Sequence, residues 1–165
     1  MINLREYKKE DDKRLIELAN NKNVSKYLTL RFPYPYTKED SRWWLETGCK
    51  INGEINRAIV SNGEFVGGVG ITPQKGWKSH IAEIGYWIGE DYWGNGIATE
   101  ALKQMTELAK FTKKYHKLFA PVLEPNKASM RVLEKNDYTL EGVFKQEVIR
   151  DEMCFDVYSY AKKCF

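Results

Sequence analysis

Apolar and polar residues alternate at the start of the chain, where Ile2 and Leu4 predict a short strand. From Glu10 to Ala19 the apolar residues Leu15, Ile16, Leu18 and Ala19 share roughly one face of a helix, which Asn20-Asn21 is expected to stop. The two prolines of Phe32-Pro33-Tyr34-Pro35-Tyr36 push the residues before them toward extended geometry, so this run reads as an aromatic loop. Thr37-Lys38-Glu39-Asp40 has the form of a capping box and predicts a second helix through Trp43, Trp44 and Leu45 toward Gly48. The β-rich runs 55–60 and 65–71 flank Ser61-Asn62-Gly63-Glu64, where Asn-Gly signals a hairpin. A third run, 80–88, completes an antiparallel meander.

From Ala98 onward the period changes, with Ala98, Ala101, Leu102, Met105, Leu108 and Ala109 at helical spacing. Residues 118–122 follow as a short strand, Asn126 caps another helix through Val132 and Leu133, and 138–149 and 153–161 form two long strands around an Asp151-Glu152 turn. The order is β-α-α-β-β-β-α-β-α-β-β. It predicts an α/β (α+β) fold: a mixed, mostly antiparallel sheet of about seven strands, a central parallel pair joined by a right-handed crossover, and about four helices.

With 165 residues and nothing that reads as a linker or repeat, a single domain spanning 1–165 is expected. Hydrophobic residues make up 42% and charged residues 30%, and no stretch approaches the roughly 18 apolar residues of a membrane span. Disordered and membrane-spanning classes are excluded on those grounds. The amino terminus lacks the pattern of a secretory signal, so a cytoplasmic location is expected. Cys49, Cys154 and Cys164 have no ligand-like spacing and read as free thiols; His80 and His116 are likewise isolated, and no metal is expected. A net charge of +3 is too small to imply nucleic acid without a concentrated patch. The basic run 110–117 is read as solvated and compensating a helix C-terminus. Aromatics at 13% exceed what a core of this size requires, so some rings are expected to line a pocket.

The most informative stretch is Glu83 to Ala101: a strand, then Trp93-Gly94-Asn95-Gly96-Ile97-Ala98-Thr99, then a helix already in phase. Glycines let successive amides converge, and a helix N-terminus adds unpaired N–H groups, which together suit a pyrophosphate. A plain Asn95-Gly96 turn is the alternative. The dinucleotide fingerprint fails because Thr99 stands where its third Gly or Ala belongs, and the Gly-Lys-Ser/Thr of a Walker loop is absent.

Residues 93–98 resemble the acetyl-coenzyme A loop of the GNAT N-acetyltransferase superfamily, Gln/Arg-x-x-Gly-x-Gly/Ala. Asn126-Lys127-Ala128-Ser129 through Glu134-Lys135 to Tyr138 resembles the second half of that signature. Phe32-Pro33-Tyr34-Pro35-Tyr36-Thr37, Ala82-Glu83-Ile84-Gly85-Tyr86-Trp87 and Tyr92-Trp93-Gly94 to Ala101 are similar to the ribosomal-protein N-terminal (alanine) acetyltransferase branch. Trp93 in the Gln/Arg position and Asp137 in place of the usual Gly are departures.

The resemblance implies acetyl transfer from acetyl-CoA to a primary amine by direct attack, most simply a protein or peptide α-amine. A small amine such as an amino acid, polyamine or antibiotic, or a non-catalytic acyl-CoA module, remains the alternative. Glu83 is the candidate base. Leu133 stands where many relatives carry an acid tyrosine, so Ser129 is the candidate proton donor to the thiolate. A backbone amide near Trp87 or Ile88 is the candidate for polarising the thioester carbonyl, with a bulge at Gly85 or Gly89 expected to splay the strand. Trp93, Gly94, Asn95, Gly96, Ile97, Ala98, Thr99, Asn126 and Ser129 are the further coenzyme candidates. Phe32, Tyr34 and Tyr36 are the acceptor candidates, whereas Trp43, Trp44 and Tyr158 are expected to fill core. The sequence leaves a homodimer open.

Overall fold

Asn62 and Gly63 have positive φ, 50° and 89°, which is the backbone that a two-residue hairpin turn demands. They join β2 (Ile55–Ser61) to β3 (Glu64–Pro73), and β4 (Ile81–Ile88) adds to β3 in an unbroken antiparallel register. The computed structural model describes residues 1–165. With β1 (Ile2–Arg5), β5 (Lys117–Leu123), β6 (Thr139–Arg150) and β7 (Met153–Lys163), these strands form one seven-stranded sheet in the order β1-β2-β3-β4-β5-β7-β6. Only β4 and β5 run parallel.

Helices α1 (Asp12–Ala19), α2 (Lys22–Ser25), α3 (Lys38–Glu46), α4 (Ile97–Thr112) and α5 (Lys127–Glu134) cover the sheet. The short α2 is one more helix than the sequence predicts. Asn20 ends α1 as expected, but the Asn21 side chain accepts the Asn23 N–H at 2.8 Å and so starts another turn. Two apolar layers result. On one face Ile97, Ala101, Leu102, Met105 and Ala109 of α4 pack with Ile71, Ile84 and Leu118, and on the other Leu15, Leu18, Tyr36, Leu45 and Phe65 form a smaller cluster. No helix is long and apolar enough to cross a membrane.

The sheet opens in its middle. β4 pairs with β5 only at Ile81↔Lys117, Ala82↔Leu118 and Glu83↔Phe119, while β5 stays paired with β7 out to Leu123↔Val157. The expected bulge at Gly85 or Gly89 is absent, because β3 and β4 keep register from Gly67↔Ile88 to Pro73↔Ala82. The opening comes from β5 leaving instead. Pro121, which has no N–H to give, lies in the part of β5 that has already left β4. Gly89 has a packing reason, since a Cβ there would stand 2.6 Å from Leu18 Cδ2.

Candidate active site

Gly94 and Gly96 adopt positive φ, 77° and 73°, and a Cβ on either would meet nothing within 4 Å. Gly96 is the N-cap of α4, and the first bond of that helix runs from the Glu100 N–H to the Gly96 carbonyl. The amides of Ile97, Ala98 and Thr99 therefore have no partner within the helix. Asn95 serves the loop differently from the sequence reading: its Nδ2 donates to the Tyr92 and Trp93 carbonyls at 3.2 and 3.1 Å, and it lies outside the cavity wall. The Trp93 indole donates to the Ile88 carbonyl at 2.7 Å, fastening the loop to the strand end.

A cavity of about 690 Å³ lies over this loop, walled by Trp93, Gly94, Gly96, Ile97, Ala98 and Thr99 on one side and Asn126 and Ser129 on the other. Four cations, Lys26, Lys127, Arg131 and Lys135, also reach its wall. The sequence reading missed them, having assigned the anion site to backbone amides alone. Their signal was the four-residue spacing of Lys127, Arg131 and Lys135, which puts three charges on one helical face.

Alternation along β4 sends Glu83, Gly85 and Trp87 to the opposite face, where they line a second cavity of about 560 Å³. Its aromatic wall includes Phe32 and Tyr36, whose rings lie 5.4 Å apart, with Phe32 5.2 Å from Trp87. Tyr34 is a correction, since it is half exposed and outside this wall. So is Trp43, expected in the core but found lining the cavity at 50% exposed, whereas Trp44 lines the cavity while packing against the smaller core cluster as expected. Arg150, at the tip of the β6–β7 hairpin, donates to the Leu28 carbonyl and ties that hairpin to the loop bordering both cavities. The cavities share Leu28, Tyr86 and Trp87.

Glu83 therefore opens on the second cavity and Ser129 on the first; the fold sets them on either side of β4 rather than in contact. Burial pushes the Glu83 carboxyl above its ordinary range, and Arg31 pulls it part of the way back. The Tyr86 hydroxyl lies 2.8 Å from Ser129 Oγ and 3.1 Å from the Ser129 carbonyl. Burial pushes that phenol up to about 12, with the Ser129 bond acting against the shift, so it stays protonated at neutral pH. Leu133 is fully buried in the core, and the phenol beside Ser129 comes from the strand instead. The Gly89 N–H bonds to the Val66 carbonyl, so alternation along the ladder turns the amides of Ile88 and Tyr86 toward the open edge and that of Trp87 toward β3.

Residues 2–139 match the family described as the Acetyltransferase (GNAT) domain. The chain belongs to the GNAT acetyltransferase family. It is 27% identical to the N-acetyltransferase YnaD of Bacillus subtilis over 158 residues, covering 96% of this chain and 91% of that protein. The match to B. subtilis YkkB is 40% over 73 residues, 44% of this chain and 42% of the other. The structure of RimL, a ribosomal L7/L12 alpha-N-protein acetyltransferase in complex with coenzyme A, superposes with a TM-score of 0.86 at 22% identity, covering 98% of this chain and 93% of that one.

The GNAT enzyme is thus an acetyl-CoA-dependent N-acetyltransferase. Its side chains and amides fit such a donor. Converging amides at an αL glycine turn and four nearby cations suit a pyrophosphate, and an unpaired strand edge suits an amide-bearing arm.

Proposed function

We propose that this acetyltransferase modifies the α-amine of a protein or peptide, admitting the acceptor through the cavity lined by Glu83 and the acyl donor through the one beneath Ser129. The meeting of the two cavities at Leu28, Tyr86 and Trp87 carries the reading, because an amine on one side and a donor on the other then meet at the open end of β4. The likeness of fold to RimL favours a protein α-amine, as does the aromatic wall, which suits the apolar body of a peptide end.

Acetyl-CoA supplies an activated acetyl thioester. Glu83 takes the proton of the incoming ammonium, and its raised proton affinity brings it closer to the working pH of a base. The Ile88 amide, aimed at the gap between β4 and β5, is positioned to donate to a carbonyl there; the Trp87 amide is engaged with β3 and drops out of that role. Ser129 holds the proton for the departing sulfur, with Tyr86 fixing its hydroxyl and Asn126 accepting its backbone N–H at 3.2 Å. The amides of 97–99 and the cations Lys26, Lys127, Arg131 and Lys135 grip phosphate.

Thiol release from acetyl-CoA tests this against a panel of N-terminal peptides, free amino acids and polyamines. Peptides are expected to give the highest kcat/KM; a polyamine or amino acid exceeding every peptide would transfer the reading to small amines. Ser129→Ala should lower kcat about ten- to hundredfold, and Tyr86→Phe only several-fold with the same direction. Unchanged kcat in Ser129→Ala, in protein whose melting temperature is preserved, would remove the serine from proton transfer.

A further inference from the structure

The acceptor cavity contains a charge arrangement that the chemistry above does not use. Glu54, one residue before β2, has a side chain only 9% exposed, and its two oxygens accept from the Arg31 guanidinium at 3.1 and 3.3 Å. Asn56 Nδ2 donates to the same carboxylate at 3.2 Å. Gly70 makes that orientation of Asn56 feasible, since a Cβ at residue 70 would stand 2.4 Å from Asn56 Oδ1. Arg31 is different in kind. Its side chain is 51% exposed and it belongs to the irregular segment between α2 and α3.

The register puts these groups on the floor of the cavity with Glu83. Asn56, Gly70 and Gly85 form one cross-strand row, and Thr72 and Glu83 lie in the next. Glu54, two residues before Asn56, falls on the same face. Besides Arg31, the charged side chains lining this cavity are Asp40, Glu54 and Glu83. Asp40 is occupied in capping α3, where its Oδ2 accepts from the Thr37 N–H and hydroxyl at 2.8 and 2.7 Å. Glu54 thus offers a buried carboxylate whose only cationic partner stands half in water. A buried carboxylate cannot be stripped of its cation without replacement, whereas an exposed guanidinium can return to solvent at little cost.

We propose that Arg31 and Glu54 form an exchangeable ion pair that selects acceptors carrying a second cation, which replaces the guanidinium on Glu54 while the reacting amine lies at Glu83. This rests on the assignment of the Glu83 cavity to the acceptor. Neighbouring strands stand roughly 5 Å apart, so two strands separate the two carboxylates by roughly 10 Å at the backbone. That span suits the basic side chain of the second residue of a peptide, or the far ammonium of an alkyl diamine. Asn56 is a positioning residue for the carboxylate, and Arg31 a competitor for it.

Initial rates with matched acceptors test the pair: a peptide with lysine at its second position against the same peptide with norleucine there, and an alkyl diamine against the monoamine of equal length. The peptide pair and the amine pair distinguish the two sources of the second cation. The unmodified enzyme is expected to favour the cationic member of at least one pair about tenfold in kcat/KM, through KM. Glu54→Gln should bring that ratio close to one. Arg31→Met should raise it, because the competitor is gone, and should also move the acidic limb of the rate profile for the norleucine peptide to higher pH, since Arg31 holds the Glu83 carboxyl down. These ratios compare acceptors on one protein preparation, so partial loss of folded enzyme does not imitate them.

A ratio of one for both pairs in the unmodified enzyme would overturn the proposal while leaving acetyl transfer intact. A preference for acceptors with a carboxylate beside the amine, lost in Arg31→Met, would overturn it in favour of an anion clamp. Failure of every amine to release thiol would instead remove the acceptor assignment and the proposal with it.

Discussion

Glu83→Gln is expected to lower kcat by about two to four orders of magnitude, with the KM for acetyl-CoA nearly unchanged. Glutamine keeps the shape and the hydrogen-bonding reach of the side chain but cannot take a proton from the acceptor ammonium. The acidic limb of the rate profile should disappear with it. Because burial raises the proton affinity of Glu83 in the folded chain, the limb of the unmodified enzyme should fall above the ordinary carboxylate range, held back in part by Arg31.

The same shift predicts a stability change of opposite sign to the loss of rate. A carboxyl whose folded pKa is raised gives its stabilisation below the unfolded pKa, and loses it as pH rises through the folded value. At neutral pH the ionised Glu83 therefore weighs against the fold. Glu83→Gln should melt higher than the unmodified enzyme at pH 7 to 8 and lose that advantage below about pH 4. A glutamine variant that melts lower at neutral pH, or that keeps the acidic limb, would mean that Glu83 is a structural strand residue.

What the sequence disclosed was local in character. Asn62-Gly63, the capping box at Thr37, the αL glycines of the loop and the Asn126 cap all depend on neighbours within a few residues, and the elements they bound fall where expected. Asn20-Asn21 shows the limit even there, because one asparagine can close a helix while the next opens another. Alternation along β4 sets Glu83 and Trp87 on one face, yet no local pattern says that Tyr86, on the other face, meets Ser129 across 43 positions. The ion pair of Arg31 with Glu54 is likewise made by the fold. The cations of α5 were legible and went unused, since the signature drew attention to Asn126 and Ser129 and away from the spacing of Lys127, Arg131 and Lys135. Trp43 misled for a general reason. Tryptophan is mostly buried in proteins at large, and a pocket rim is the place where a large ring remains half exposed.

Gly85→Val should abolish most acceptor turnover while leaving the fold and coenzyme binding intact. β3 and β4 contain several glycines in this region, but they have different tasks. A Cβ at residue 67 would lie 2.2 Å from the Trp87 carbonyl oxygen, and one at residue 68 would lie 2.2 Å from the Tyr7 hydroxyl. Side chains there would displace backbone or the half-buried Tyr7 ring. At Gly85 a Cβ meets nothing within 4 Å, and the residue lies on the cavity floor between Glu83 and Trp87. Valine at residue 85 would fill space that an acceptor needs rather than space the protein has already taken. A β-branched residue suits strand backbone, and replacing glycine removes an entropic penalty of about 0.5–1 kcal/mol. The melting temperature of Gly85→Val is therefore expected to hold or rise, and titration calorimetry with coenzyme A to give an unchanged Kd, while the KM for the acceptor rises at least about tenfold. Gly67→Val is the contrasting variant and should lose soluble folded protein. An unaltered acceptor KM in folded Gly85→Val would show that the amine reaches β4 by another route, and the assignment of this cavity to the acceptor would fall.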